Sequence, residues 1–242
     1  MTMFGAIFFL PVFVQGVIGN SVTNSGAILV PMLVAMVVTS IGSGQVISRT
    51  GRYKLLLLAG IVFMGAGFAM LTTFDINTTN QTVIEAMILI GLGLGVTMQT
   101  YTLVVQNSVS RADMAVATSA TQLSRSMGSA IGLAVLGTIL TQGMTTSLAR
   151  YLPPAALKNF QSGGAGAVFD PSQLAHLSPA IAAAIRHGLS DALHPVFVAG
   201  LIILVLAFVA TLFIEEVALR QTAHVTAGRT RHEAGEEAKS AV

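Results

Sequence analysis

The sequence predicts an all-α membrane protein with six transmembrane helices. Three observations carry this prediction. Charged residues make up only 9% of the 242 positions, 53% are hydrophobic, and the mean hydropathy is +0.78. A soluble domain carries about a quarter charged residues, so this chain could not clothe its surface with polar groups. The apolar residues also come in long runs, and a bilayer-spanning helix needs about 20 in succession.

Six such segments follow one another at residues 2–18, 25–47, 55–74, 82–105, 115–142 and 195–214. All are read as helices, because an open strand cannot satisfy its backbone in lipid. A closed barrel needs short alternating segments, whereas the third segment (LLLLAGIVFMGAGFAML) is apolar without interruption. The first 18 residues lack the basic start of a signal peptide and read as a retained span. The membrane part covers 1–214. A cytoplasmic tail, 215–242, mixes Arg220, Arg229, Arg231 and Lys239 with glutamates and reads as disordered.

Orientation comes from the short loops. Arg49, Arg52 and Lys54 lie between the second and third segments, and Arg111 lies between the fourth and fifth. The link GVIGNSVTNSG carries no charge, and DINTTNQ carries only Asp75. The positive-inside rule then places the basic loops and both termini in the cytoplasm of a multi-pass cell-membrane protein. An outer connection at 143–194 contains Pro153–Pro154 and the stretch SGGAGAVFD. Within it Ile181, Ile185 and Leu189 recur at helical spacing, with Arg186 and His187 between them. That pattern predicts an amphipathic helix lying at the outer interface.

Polar groups inside the spans are the informative exceptions. Arg125 falls about ten residues into the fifth segment, roughly 15 Å along its axis. An arginine at that depth costs about 2.5–3.5 kcal/mol on insertion scales, so it should face protein or water. Thr118, Gln122, Arg125 and Ser129 share one stripe at spacings of three and four. Arg125 either lines a water-filled path or fixes helix packing through backbone carbonyls. The fourth segment has a second stripe of Gly91, Gly95, Gln99, Thr102 and Gln106. Its glycines suit close helix approach, and its amides suit a cavity or a neighbouring helix. Ala120, Ser124, Gly128 and Gly132 form a further small-residue ladder. Glu85 is the one acid within a span; it reads either as a solvated group near the outer end or as a proton carrier.

Several function classes drop out. The chain has no Cys, which removes disulfides and thiolate metal sites. Its histidines lack ligand spacing, so no metal or other cofactor is expected. No nucleophile–base pair or phosphate loop is present, which argues against an enzyme. A net charge of +2 gives no reason to expect nucleic acid.

The link GQVISRTGRYK resembles the loop signature G-x-x-x-D-R-x-G-R-[RK] of the major facilitator superfamily, with Gly44, Arg49, Gly51 and Arg52 matching. Ser48 stands where the signature has Asp, and Tyr53 precedes the basic Lys54. The glycines would permit a tight turn, and the arginines would pair with helix ends or anionic lipid. The stretches FFLPVFVQGVIGNSVTNSGAILVP, GLGLGVTMQTYTLVVQNSV and ATSATQLSRSMGSAIGLAVLGTIL resemble the fourteen-helix drug:proton antiporters of the EmrB/QacA type. The resemblance implies one half of a major facilitator bundle, the C-terminal one. It also implies proton-coupled export of hydrophobic or amphiphilic compounds, with substrate held between two halves. The chain is then expected to be a fragment or split form whose partner is the missing N-terminal half or a second copy. Its other partners would be the lipid bilayer, a small-molecule substrate and the proton. Arg125, Gln122, Gln99, Thr102 and Gln106 would line the transport path. A facilitator for another solute, or a non-transporting membrane subunit, are the competing readings.

Overall fold

The computed structural model describes residues 2–18, 26–151 and 179–213. Helix α1 spans Thr2–Phe13 and runs on through a π-helical turn at Val14–Ile18. It is followed by α2 (Val30–Thr50), α3 (Lys54–Leu71), α4 (Asn80–Ser108), α5 (Met114–Tyr151) and α6 (Pro179–Leu212). Among the described residues there is no strand. Helices α2 to α6 are long and apolar enough to cross a membrane, and Gly5–Ile18 forms a shorter apolar helix. This is the all-α arrangement of six helices that the hydropathy predicts.

Local chemistry sets the helix ends. Pro31 sits in the first turn of α2, where its missing N–H costs nothing. Gly51 ends the helix at φ 68°, and its N–H reaches the Ile47 carbonyl at 2.8 Å. That left-handed cap, the one positive φ among the described residues, is where the loop signature needs a glycine. Thr79 caps α4 by accepting the Thr82 N–H at 3.4 Å. Ser110 donates to the Asp113 carboxylate at 2.7 Å in the turn that opens α5.

Helix α4 lies between two neighbours, and its glycines are the reason. A Cβ at Gly91 would strike the Met32 carbonyl, and one at Gly95 would strike Thr39 and the Met36 carbonyl, all on α2. Between them Gly93 faces the other way, against the Gly60 carbonyl and Met64 on α3. Positions two apart on a helix point to nearly opposite sides, so alternate glycines seat two partners. Glycine contacts recur around the bundle, with Gly200 of α6 against Phe68 and Gly16 after α1 against Leu189. Lipid tails are as apolar as leucine, so such close packing, not hydrophobic burial, must hold membrane helices together. Phe13 completes the core against Phe74 and Phe197, with ring centroids 5.4 and 6.5 Å apart.

The expected outer connection at 143–194 is shorter than the sequence suggests, because helix continues at both ends. Helix α5 persists to Tyr151 and α6 begins at Pro179. The segment at 181–189 does not lie apart at an interface. Ile185 and Leu189 are fully buried while Arg186 and His187 are exposed, and the helix runs on through Pro195. The extended end of α5 supplies the surface that buries them. Gly143 meets Ala192, Leu148 meets Gly188, and the Tyr151 hydroxyl donates to Asp191 at 2.8 Å. At about 1.5 Å per residue, α5 and α6 each exceed 50 Å, well beyond a hydrocarbon layer of about 30 Å. Pro153–Pro154, the stretch SGGAGAVFD and the tail 215–242 lie outside the described residues.

This packing leads to two expected outcomes. Gly93→Leu or Gly95→Leu drives a side chain into backbone. Each should destabilise by about 1–3 kcal/mol and lower the thermal unfolding midpoint in detergent. Gly137→Ala, with open space around its Cβ, should leave the midpoint unchanged. A Cβ at Gly143 would lie 3.4 Å from that of Ala192, close to the spacing a disulfide requires. The double variant Gly143→Cys/Ala192→Cys should therefore oxidise to an intramolecular bridge in this cysteine-free chain. A failure to cross-link would show that the two helices do not run together there.

Candidate functional site

Below the glycine contact, α2 and α4 part around a polar side chain. Gln99 comes after Gly91 and Gly95 on the same face of α4 and is half-buried. Its Oε1 accepts a long hydrogen bond, 3.5 Å, from Ser40 of α2. A cleft of about 320 Å³ opens beside it, lined by Ser40, Ile41, Gly44, Gln45, Ser48 and Gln99. The lining holds no charged group, so it suits neutral hydrogen bonding.

Gly44 is therefore not a turn residue. It lies inside α2, where the absence of a side chain leaves the Gln99 amide within van der Waals reach. The tight turn belongs to Gly51. Arg49 and Arg52 are exposed at the end of α2 and in the link after it. The basic residue that engages a helix end is Lys54, whose Nζ donates to the Leu212 carbonyl at 2.9 Å. Sequence reasoning does not find this bond, nor the 3.0 Å hydrogen bond between Tyr101 and the buried Thr211. Both join helices distant in the sequence, and no local pattern signals them.

Thr102 and Gln106 continue the α4 stripe and are half-buried, with the Thr102 hydroxyl bonded to the Met98 carbonyl of its own helix. Arg125 and Gln122 stand apart on α5. Arg125 is half-buried and Gln122 exposed, and among the described residues no hydrogen bond joins them to Gln99, Thr102 or Gln106. Glu85 lies one turn and a half into α4, exposed, and accepts from Gln81 at 3.3 Å. Gly128 is half-buried and Gly132 buried, while Ala120 and Ser124 of the same ladder are exposed. Among the described residues no group of His, Asp or Glu could hold a metal ion.

Burial along α5 is lopsided. Its buried residues begin at Gly132. The first half exposes Val116, Leu123 and Met127 together with the polar Thr118, Gln122, Ser124 and Ser126.

Known proteins resemble this chain over most of its length. The multidrug transporter protein MdtP of Bacillus subtilis is 34% identical over 238 residues, covering 90% of this chain and 44% of its own length. The uncharacterized MFS-type transporter Rv1877 of Mycobacterium tuberculosis is 31% identical over 217 residues, covering 90% of this chain and 31% of its own. A tetracycline resistance determinant of Streptomyces rimosus is 26% identical over 239 residues, covering 88% of this chain and 68% of its own. The chain thus spans less than half the length of the first two. The profile of the Major Facilitator Superfamily matches residues 1–133, more than half of the chain. With all six helices in place, this multi-pass membrane chain belongs to that superfamily, whose members are transporters and not enzymes.

Proposed function

We propose that this chain acts as the C-terminal half of a drug exporter of the fourteen-helix type, which moves hydrophobic or amphiphilic compounds outward in exchange for protons. The observation that carries this reading is the exposed first half of α5. Arginine, glutamine, serine and threonine side chains share that surface at a depth where lipid would penalise them. Protein or a water-filled path must cover it, and an opposing half-bundle supplies both. The relatives named for multidrug transport and tetracycline resistance support export as the direction and drugs as the cargo.

In this reading Gln99, Ser40 and Ser48 present neutral hydrogen-bonding groups to the path, with Thr102 and Gln106 further along α4. Arg125 and Gln122 face the same path from α5. Proton coupling then draws on acids of the other half, since Glu85 sits exposed against Gln81 at the outer end of α4. The basic loops and both termini lie in the cytoplasm of the cell membrane. The partner is an N-terminal half, or a second copy of this chain oriented alike, because facilitator halves are related by an axis along the membrane normal.

The test is efflux of a cationic dye by cells carrying this chain together with its N-terminal half. Gln99→Leu removes one hydrogen-bonding group and should slow efflux about two- to tenfold at unchanged expression. Arg125→Leu should slow it more, with Arg125→Lys intermediate. Efflux at the normal rate from both leucine variants would sink the assignment of the path. Uptake of a sugar or siderophore, with no dye efflux, would favour a facilitator of another class. Glu85→Gln should leave the pH dependence of efflux where it is, and a shifted profile would return proton carriage to that carboxylate.

A further inference from the structure

The cleft between α2 and α4 has an uneven supply of hydrogen bonds. Its two hydroxyl protons are already committed. Ser40 donates to Oε1 of Gln99 at 3.5 Å, and Ser48 donates to the Gln45 carbonyl at 2.9 Å. The Gln99 amide keeps both of its N–H donors, and among the described residues nothing accepts from them. Gln45 carries a second amide but is exposed, whereas Gln99 is half-buried. The recessed, unmet group of the cleft is therefore a donor.

Two further features define what that donor faces. The lining holds no charged residue, so an ion would find no counter-charge there and a neutral oxygen is the better match. Gly44 stands beside the amide. A Cβ at this position would lie 3.8 Å from Nε2 and 3.9 Å from Cγ of Gln99, with nothing else within 4 Å. These are ordinary contact distances, so no clash demands a glycine. Nor does the backbone, since Gly51 has the one positive φ among the described residues. Glycine inside a helix is also less favourable than alanine. Access to the amide accounts for it: a methyl would stand where an oxygen must come within about 3 Å of the nitrogen.

We infer that the cleft takes the carbonyl oxygen of an amide, ester or ketone, which accepts from the Gln99 amide, and that Gly44 sets this preference by leaving the amide edge open. This assignment rests on the transport reading and narrows its cargo to compounds bearing such an oxygen. The esters of a bilayer lipid share the chemistry, but a lipid held in the cleft would not separate two dyes.

The full chain in nanodiscs is titrated with rhodamine 6G and with pyronin Y, and dye polarisation is read against empty nanodiscs. Both dyes are xanthylium cations, and only rhodamine 6G carries a carbonyl. Rhodamine 6G should bind more tightly. Gln99→Met keeps the length of the side chain without its donors and should weaken rhodamine 6G about two- to tenfold, with pyronin Y unchanged. Gly44→Ala should do the same while its unfolding midpoint stays level or rises, which separates lost access from lost fold. Equal affinity for the two dyes in the unaltered chain would overturn the proposal. So would variants that weaken both dyes alike or neither. Efflux is measured separately in cells that also carry the N-terminal half. Export without a carbonyl preference would sink this assignment and spare the transport reading, whereas a carbonyl preference in binding without export would do the reverse.

Discussion

Backbone-to-backbone contact at the glycines of α4 is the constraint on which the bundle depends. Helices in lipid gain nothing by hiding leucine, so they associate where their backbones approach closely. Gly93 meets the Gly60 carbonyl, and Gly91 and Gly95 meet the carbonyls of Met32 and Met36. A single added methyl at any of these would separate two helices. The contact also sets the geometry one turn further along. Once α2 and α4 touch at Gly95, the next side chain on that face, Gln99, must prop them apart, and the cleft beside Ser40, Gly44 and Ser48 is the consequence.

Polarity inside the spans falls into two kinds. Most hydroxyls are satisfied by their own helix. Thr39, Thr97, Thr100, Thr102, Thr121 and Thr211 each donate to a carbonyl four residues earlier, at 2.6–2.9 Å. Such residues cost little in hydrocarbon and need no partner. The longer groups cannot close that local bond so readily. Gln99 turns to Ser40 on a neighbouring helix, while Gln106, Gln122 and Arg125 project from surfaces that this half-bundle leaves partly open. Amides and guanidinium within a span therefore carry more information about a path than the threonines around them.

The spans and the link between α2 and α3 are legible in the sequence because each leaves a local mark: a run of apolar residues, or a glycine where φ must be positive. The helix ends beyond the membrane are not. Hydropathy falls at Thr145, Thr146 and Ser147, yet α5 continues because Leu148 and Gly143 receive α6. A window tuned to hydrocarbon thickness sees where lipid stops, not where hydrogen bonding stops. The role of Gly44 escapes a local reading for a related reason. The loop signature groups it with Gly51, but only Gly51 has a left-handed backbone, and the two serve different purposes seven residues apart. For the candidate site, sequence singles out Gln99, Thr102 and Gln106 by their shared face. It cannot find Ser40 and Ser48 of α2, which line the cleft together with Gln99.

The uneven burial of α5 is where fold and proposed function meet. Beyond Gly132 the helix is packed by α1 and α6 along the row of Leu136, Leu140, Met144 and Leu148. Before that point it carries Thr118, Gln122, Ser124 and Ser126 exposed and Arg125 half-buried, on a surface that this chain covers only in part. Exposing Arg125 alone to hydrocarbon would cost about 2.5–3.5 kcal/mol on insertion scales, a large fraction of the margin by which a domain is stable. A surface of that composition is sustainable where water reaches it for part of a cycle and protein closes over it for the rest. Alternating access imposes those two conditions on the face between facilitator halves. The small residues of that stretch fit both, since Ala120, Ser124 and Gly128 would let an opposing helix come close without demanding that it stay.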